Sequence, residues 1–379
     1  MYQLVDTQEG LRETAHSLQG ARRLFLDTEF ESSRGGTLLC LLQVSTGTTV
    51  FLVDTLRLGD LGPLREPLMA TDEWVLHAAQ QDLPLLQAAL GAASHPPVFD
   101  TQVAWAMSSP EYSVSLTYLV FRVLGVRCGK AHQTDDWKRR PLPESQLRYA
   151  AADVESLPGI HARISEKLLE LGRLDLVHEV VDELLRPSHE RVDRLELGAF
   201  RHAWQLDPKQ QAALQHLITW FNGLSPREKR HAPDPKVLLS IASRLPRTTD
   251  DLRRIKGVPP RWCSEAGRTL LTGLSAAAVR ADTHDFVPID PAPYATFEAI
   301  RYDAWLQTMR AEVCAKLAIA PELAFPARLL RQLHHVLCTS SLTPEAAIDL
   351  LHGWRRVLIG PTLERYLIDT PPPFGTRQP

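Results

Sequence analysis

The stretch "RRLFLDTEFESS", residues 22–33, sets two carboxylates two positions apart at the end of an apolar run. Leu24, Phe25 and Leu26 have the composition of a strand buried on both faces. Side chains two apart on a strand project to the same face, so Asp27 and Glu29 point together, with Thr28 opposite. Buried carboxylates are costly unless they are paired or bind a metal. A core strand ending on Asp-Thr-Glu therefore asks for a cation, and the rest of the chain is searched for further ligands.

Two more acidic sites answer. In "VLHAAQQDLPLL", residues 75–86, Asp82 opens a helix directly after a strand, where an Asp also serves as an ordinary N-cap. In "LRYAAADVESL", residues 147–157, Tyr149 and Asp153 stand four apart, one turn from each other on one helical face. Each motif alone has a bland explanation in a solvated strand end, a cap or a surface carboxylate. Together they form a specific set, and the chemistry that needs such a set is two-metal phosphodiester hydrolysis. Oxygen ligands without His or Cys suit Mg²⁺ or Mn²⁺. Two such ions ~3.5–4 Å apart stabilise the attacking and leaving oxygens of an in-line displacement. A tyrosine hydroxyl near the first ion can orient the attacking water.

The motifs "DTEF", "HAAQQD" and "YAAAD", in this order and spacing, resemble the three exonuclease motifs of the DEDD superfamily. The segments "LCLLQVS", "VFDTQVAWA", "LGV" and "DDWKRRPLPESQLRYAAADVESL" are similar to the ribonuclease D family, over roughly residues 20–180. The histidine-containing branch would place a His five residues before the last Asp. Arg148 stands there, which indicates the tyrosine-containing branch. The resemblance implies a ribonuclease H-like α/β nuclease domain with catalytic residues Asp27, Glu29, Asp82, Tyr149 and Asp153. Asp27, Glu29 and Asp153 would hold the first ion. Asp27 would bridge to the second, held also by Asp82, and Tyr149 would orient the nucleophile. Phe30, His77, Lys130, Trp137 and Arg140 fall in the motif neighbourhoods as candidate substrate contacts, with a packing role equally open for Trp137. One departure borders the site: the short "ESSRGGT", residues 31–37, replaces the family's longer connection, with a consequence for substrate choice.

Around this centre, "LLCLLQVS", "TTVFLVDT", "EWVLHAA" and "PVFDT" read as further strands, rich in Val, Leu and Phe. A turn at Gly47 makes a hairpin of "LLCLLQVS" and "TTVFLVDT", so a mixed sheet is expected. Helical apolar spacing marks "LGDLGPLREPLMA", "DLPLLQAALG" and "SLTYLVFRVLG", the last ended by Gly125. A long helical stretch starts at Pro143 and stops at Gly172, with Pro158-Gly159 expected to kink or split it.

At 379 residues the chain should form two or three domains. Residues 1–186 carry 17 basic and 25 acidic side chains, and residues 187–280 carry 16 and 9. A basic block beside an acidic one suggests one part that meets a polyanion and another that concentrates carboxylates. The expected domains are a nuclease domain over 1–186, a basic helical domain over 187–280, a Pro-rich linker over 281–296, a second helical domain over 297–370 and a disordered tail over 371–379. The stretches "PDPKVLLSIASRLPRTTDDLRRIKGVPPRW" and "GWRRVLIG" resemble the helicase-and-RNase-D C-terminal (HRDC) domains that follow the nuclease in this family.

The N-terminus lacks the character of a signal peptide, no apolar run reaches the ~18–20 residues that cross a bilayer, and five scattered cysteines argue for reduced thiols. These features point to a cytoplasmic protein without a membrane partner. The function expected from the resemblance is 3′-5′ exoribonuclease activity on tRNA precursors and other structured RNA. Two alternatives remain: a DNA-directed exonuclease of the same fold, and a non-enzymatic RNA-binding scaffold. The complete ligand set speaks against the scaffold.

Overall fold

The computed structural model describes residues 2–33, 36–127, 135–186, 195, 197, 200, 203–229, 232–281, 297–339 and 343–372. Lys130, the Pro-rich linker from residue 282 and the tail from residue 373 lie outside them.

Six strands form one mixed sheet: β1 (Tyr2–Val5), β2 (Arg23–Ser33), β3 (Gly36–Ser45), β4 (Val50–Val53), β5 (Glu73–Leu76) and β6 (Val98–Asp100). Their order is β1-β4-β3-β2-β5-β6. β3 runs antiparallel to both β2 and β4, while β1 on β4, β5 on β2 and β6 on β5 are parallel. The β3–β4 hairpin turns at Gly47, whose φ of 93° lies in the region that glycine tolerates. The β2–β3 connection differs from expectation. Glu31, Ser32, Ser33, Gly36 and Thr37 belong to strands, since Glu31↔Leu38, Ser32↔Thr37 and Ser33↔Gly36 continue the pairing after an irregularity at Glu29/Phe30.

A helix over Glu144–Glu170 lies across β2, β3 and β4. It runs unbroken through Pro158. Proline removes one helical hydrogen bond, and packing on both sides outweighs that loss. A Cβ on Gly159 would come 3.2 Å from Leu124, so the glycine admits the close approach of the helix Leu116–Leu124. That second helix begins on the Ser115 cap and ends at Gly125.

The described residues divide into two compact units, residues 1–185 with 298–379, and residues 186–297. In the first, the C-terminal helices share a hydrophobic core with the nuclease region. The "GWRRVLIG" segment makes polar anchors there. Trp354 donates from its backbone N–H to Glu179 (2.8 Å) and from Nε1 to Glu183 (2.8 Å). Arg355 is buried, with Nη1 on Glu183 (2.5 and 2.6 Å) and Nη2 donating to the Leu323 carbonyl (2.9 Å). The Ala320 N–H donates to the Ala106 carbonyl (2.8 Å). A chain cut near residue 186 would therefore strip apolar cover from the nuclease region, as well as remove helices.

The second unit is helical, built on Pro208–Gly223, Pro235–Arg244 and Glu265–Arg280. Leu214, Leu217, Leu238, Ile241, Leu252, Leu270 and Leu274 fill its core. Asp207 with Gln210 and Thr248 with Asp251 form capping boxes that set two helix starts. In "LRRIKGV", Gly257 has φ 92° and its missing Cβ makes room for Val237.

Candidate active site

β2 pairs with β5 only through Arg23, Leu24 and Phe25, and then outruns it, because β5 ends at Leu76. From Leu26 onward that edge of β2 has no strand beside it, and a cleft of about 450 Å³ opens there. Asp27, Thr28, Glu29, Phe30, His77, Asp82, Tyr149 and Asp153 all line it.

The carboxylates converge from three elements. Asp27 and Glu29 come from β2, and Asp153 from the helix that crosses it. One oxygen of each of these three lies within 4.8 Å of the others. Asp82 stands at the start of the helix Asp82–Leu90 and accepts a hydrogen bond from the Thr28 hydroxyl. Asp82 is not that helix's N-cap, which is Gln81, so its carboxylate is free to face the cleft. The turn that delivers it is held by Asp100. This side chain, at the end of β6, accepts from the N–H groups of Ala78 (3.0 Å), Ala79 (2.9 Å) and Gln102 (2.8 Å). Ala78 has φ 56°, a conformation unfavourable for an L-residue, and these bonds hold it.

Every carboxyl in the cluster is pushed upward. Burial acts first on Asp27, then the charges of Asp153, Asp82 and Glu29, and the result is a pKa well above the usual range. Glu29 rises to about 9, from burial and then from Asp153, Asp82 and Asp135. Burial lifts Asp153 to about 7 against an opposing hydrogen bond from Tyr149. It lifts Asp82 to about 6 against the bond from Thr28. Tyr149 is raised too, by burial and then by Asp153, Glu29 and Asp27. Among the described residues, no cationic side chain appears among the charges acting on Asp27 or Glu29. A buried set of oxygen donors that repel one another, and that the protein does not neutralise, fits hard divalent cations. The ligand set read from sequence is thus assembled in one place.

The other candidates separate. Phe30 lines the cleft just past the β2 irregularity. His77 lines it as well, with Nδ1 at 2.9 Å from the Thr101 hydroxyl and Nε2 at 3.0 Å from the Val114 carbonyl, and burial lowers its pKa. Trp137 is buried, its ring centre 6.3 Å from that of Tyr149, while its backbone N–H donates to Glu31 (3.3 Å). Arg140 stands away from the cleft lining. Its guanidinium forks onto buried Asp54 (2.6 and 2.8 Å) and donates to the Cys40 carbonyl (2.8 Å), which ties its segment to β3 and β4. The expected contact between Arg140 and substrate gives way to this buried pair.

Sequence reading passed over Asp100 and Thr28. An Asp directly between the strand "PVF" and a helix is a legible cap signal, and Asp100 caps its own helix as well as the neighbouring turn. Thr28 was assigned to the face away from Asp27, and the partner there is a fourth ligand candidate.

The profile of a 3′-5′ exonuclease family matches residues 2–169. A ribonuclease D of Gluconacetobacter diazotrophicus is 31% identical over 94% of this chain and 90% of its own length. A second, from Pseudomonas paraeruginosa, is 31% identical over 90% of each. The solved Escherichia coli RNase D, described as an exoribonuclease involved in structured RNA processing, aligns with a TM-score of 0.62 and 26% identity, covering 98% of this chain and 100% of that one.

Proposed function

The chain belongs to the ribonuclease D family, and on that premise we propose that it trims RNA from the 3′ end, releasing nucleoside 5′-monophosphates, with tRNA precursors among its cytoplasmic substrates. It is a 3′-5′ exoribonuclease of RNA processing. The observation that carries the reading is the meeting of Asp27, Glu29, Asp82, Asp153 and Tyr149 at the free edge of β2.

Asp27, Glu29 and Asp153 would hold one divalent ion, Mg²⁺ or Mn²⁺, and Asp27 with Asp82 a second. When bound, such ions polarise the phosphoryl group and neutralise charge on the attacking and leaving oxygens. The protein's own part is positional. β2 fixes Asp27 and Glu29 on a rigid element, and Asp100 fixes the turn that carries Asp82. Tyr149, bonded to Asp153, would orient an incoming water for attack on the phosphorus of the terminal P–O3′ bond. Phe30 and His77 would meet the terminal nucleotide from the cleft walls. The excess of basic side chains over residues 187–280, beside an acidic nuclease region, supports structured RNA as substrate, since that unit would contact phosphates.

The test is incubation with 3′-labelled RNA and DNA in Mg²⁺, Mn²⁺ or EDTA. Labelled nucleoside 5′-monophosphate from RNA, absent in EDTA, is expected. Cutting of a circular RNA, or undiminished activity in EDTA, would overturn the reading.

A further inference from the structure

One buried side chain next to the carboxylates has no partner. Gln43 lies in β3, and its register mate on β2 is Asp27. Residues directly opposite in an antiparallel pair share a face, with Cβ atoms about 4.5–5.5 Å apart. Gln43 is fully buried, yet neither Nε2 nor Oε1 makes a hydrogen bond. β3 is flanked by β2 and β4, and the opposite neighbour on β4 is Leu52. The helix Glu144–Glu170 covers this face, with apolar Leu147, Ala150, Ala151, Val154 and Leu157 buried and with buried Gln146 and half-buried Tyr149 and Asp153 as polar members. Of the polar groups here, the one that the register sets directly opposite Gln43 is the Asp27 carboxylate.

A buried amide with both groups unsatisfied is rare and destabilising, so it calls for an explanation. We propose that Gln43 is a positioning residue for Asp27, its amide N–H donating to the carboxylate when that group is ionised on divalent metal. The bond would occupy a lone pair not used by metal and fix the carboxylate's rotation about Cβ–Cγ. Partners of this kind around metal-binding carboxylates sharpen affinity without touching the ion. Gln43 acts through Asp27 and does not meet RNA.

The inference rests on the metal-dependent reading above, and one experiment separates the two. Gln43→Met keeps the side chain's length and removes its hydrogen bonding, and Gln43→Leu is a second apolar replacement should the first fold poorly. Calorimetric titration with Mn²⁺, melting of the metal-free protein and oligoribonucleotide kinetics are measured for each variant beside wild type. The expected result is a metal-free melting temperature equal to or above wild type, since an orphaned amide is replaced by apolar atoms. Mn²⁺ affinity should fall about 10-fold or more, and kcat should fall with KM for RNA unchanged. Wild-type Mn²⁺ affinity and kcat in a folded apolar variant would overturn the role of Gln43. Failure of wild type itself to bind Mn²⁺ would instead overturn the metal-site reading.

Discussion

The helix Glu144–Glu170 carries Asp153 into one acidic cluster and His161 into another, and the two are electrostatic opposites. At Glu73, the first residue of β5, the protein supplies its own cation, Arg23, and two histidine partners. Glu73 accepts from Arg23 Nε (2.5 Å) and His178 Nε2 (2.8 Å), with His161 Nε2 at 3.2 Å. Burial alone would raise its pKa, but the bonds from His161, His178 and Arg23 hold it well below the usual carboxylate range. The 4.5 Å edge contact of Phe99 on the His161 ring fills that corner. At Asp27 the same burial meets, among the described residues, the charges of further carboxylates, and every pKa in the cluster rises. Desolvation is common to both places. What differs is whether counter-charge is built in, and where it is left out a foreign cation belongs.

The sharpest way to break this contrast is Asp27→Asn. It removes the ligand common to both proposed ions, so cleavage should fall to background. It also removes one of several repelling buried carboxyls, so the metal-free protein should melt no lower than wild type. Activity assays and thermal melting check the two halves. Loss of the fold would mean that Asp27 is structural, as Glu73 is.

Tyr149→Phe comes next. The ring and its contact with Trp137 remain, while the hydroxyl bonded to Asp153 is lost. The turnover number should fall about 10²-fold, the low end for losing a group that handles protons or orients water. Single-turnover kinetics on a short RNA give the number, and wild-type rates would remove Tyr149 from the mechanism.

The ligand set was legible because each residue obeys a local rule. Asp27 and Glu29 follow the two-residue period of a strand, and Tyr149 and Asp153 the turn of a helix. What escaped depends on contacts distant in sequence. β1 was missed because only Val5 of its four residues is buried, so no alternation marks it, and its pairing with β4 spans some fifty positions. Arg140 was a candidate substrate contact because it falls in a motif neighbourhood, while its partner Asp54 lies 86 residues earlier. The polar "ESSRGGT" reads as a loop by composition, yet each of its strand residues has a mate across the hairpin. "GWRRVLIG" was legible as a motif, but its anchors, Glu179 and Glu183, lie in the nuclease region's last helix.

The clusters should also respond to pH in opposite directions. In the metal-free protein, Asp82, Asp153 and Glu29 have folded pKa values of about 6, 7 and 9, above the ordinary values of 3.8, 3.8 and 4.5. The folded state then binds more protons than the unfolded one, so stability falls as pH rises from about 5 to about 9. Melting in EDTA across this range should show the decline, and saturating Mn²⁺ should flatten it. A flat profile in EDTA would mean that burial and neighbouring charge do not hold these carboxyls protonated.

Glu73→Gln has the smallest expected effect and tests the other side of the contrast. The depressed pKa of Glu73 means that its ionised form stabilises the fold above its unfolded pKa of about 4.5, and that this contribution is lost as pH falls through the lower folded value. The amide can keep one hydrogen bond but cannot balance the Arg23 guanidinium or accept from Arg23, His161 and His178 together. Arg23 is 45% exposed, so water screens much of the charge left behind. A destabilisation of about 1–2 kcal/mol at neutral pH follows, narrowing as pH drops below about 4.5. Chemical denaturation at several pH values measures it. Because Glu73 begins the strand whose far end leads to Asp82, the variant should still bind Mn²⁺ with wild-type affinity. A large loss of metal affinity would show that the two clusters are coupled through β5 and the shared helix.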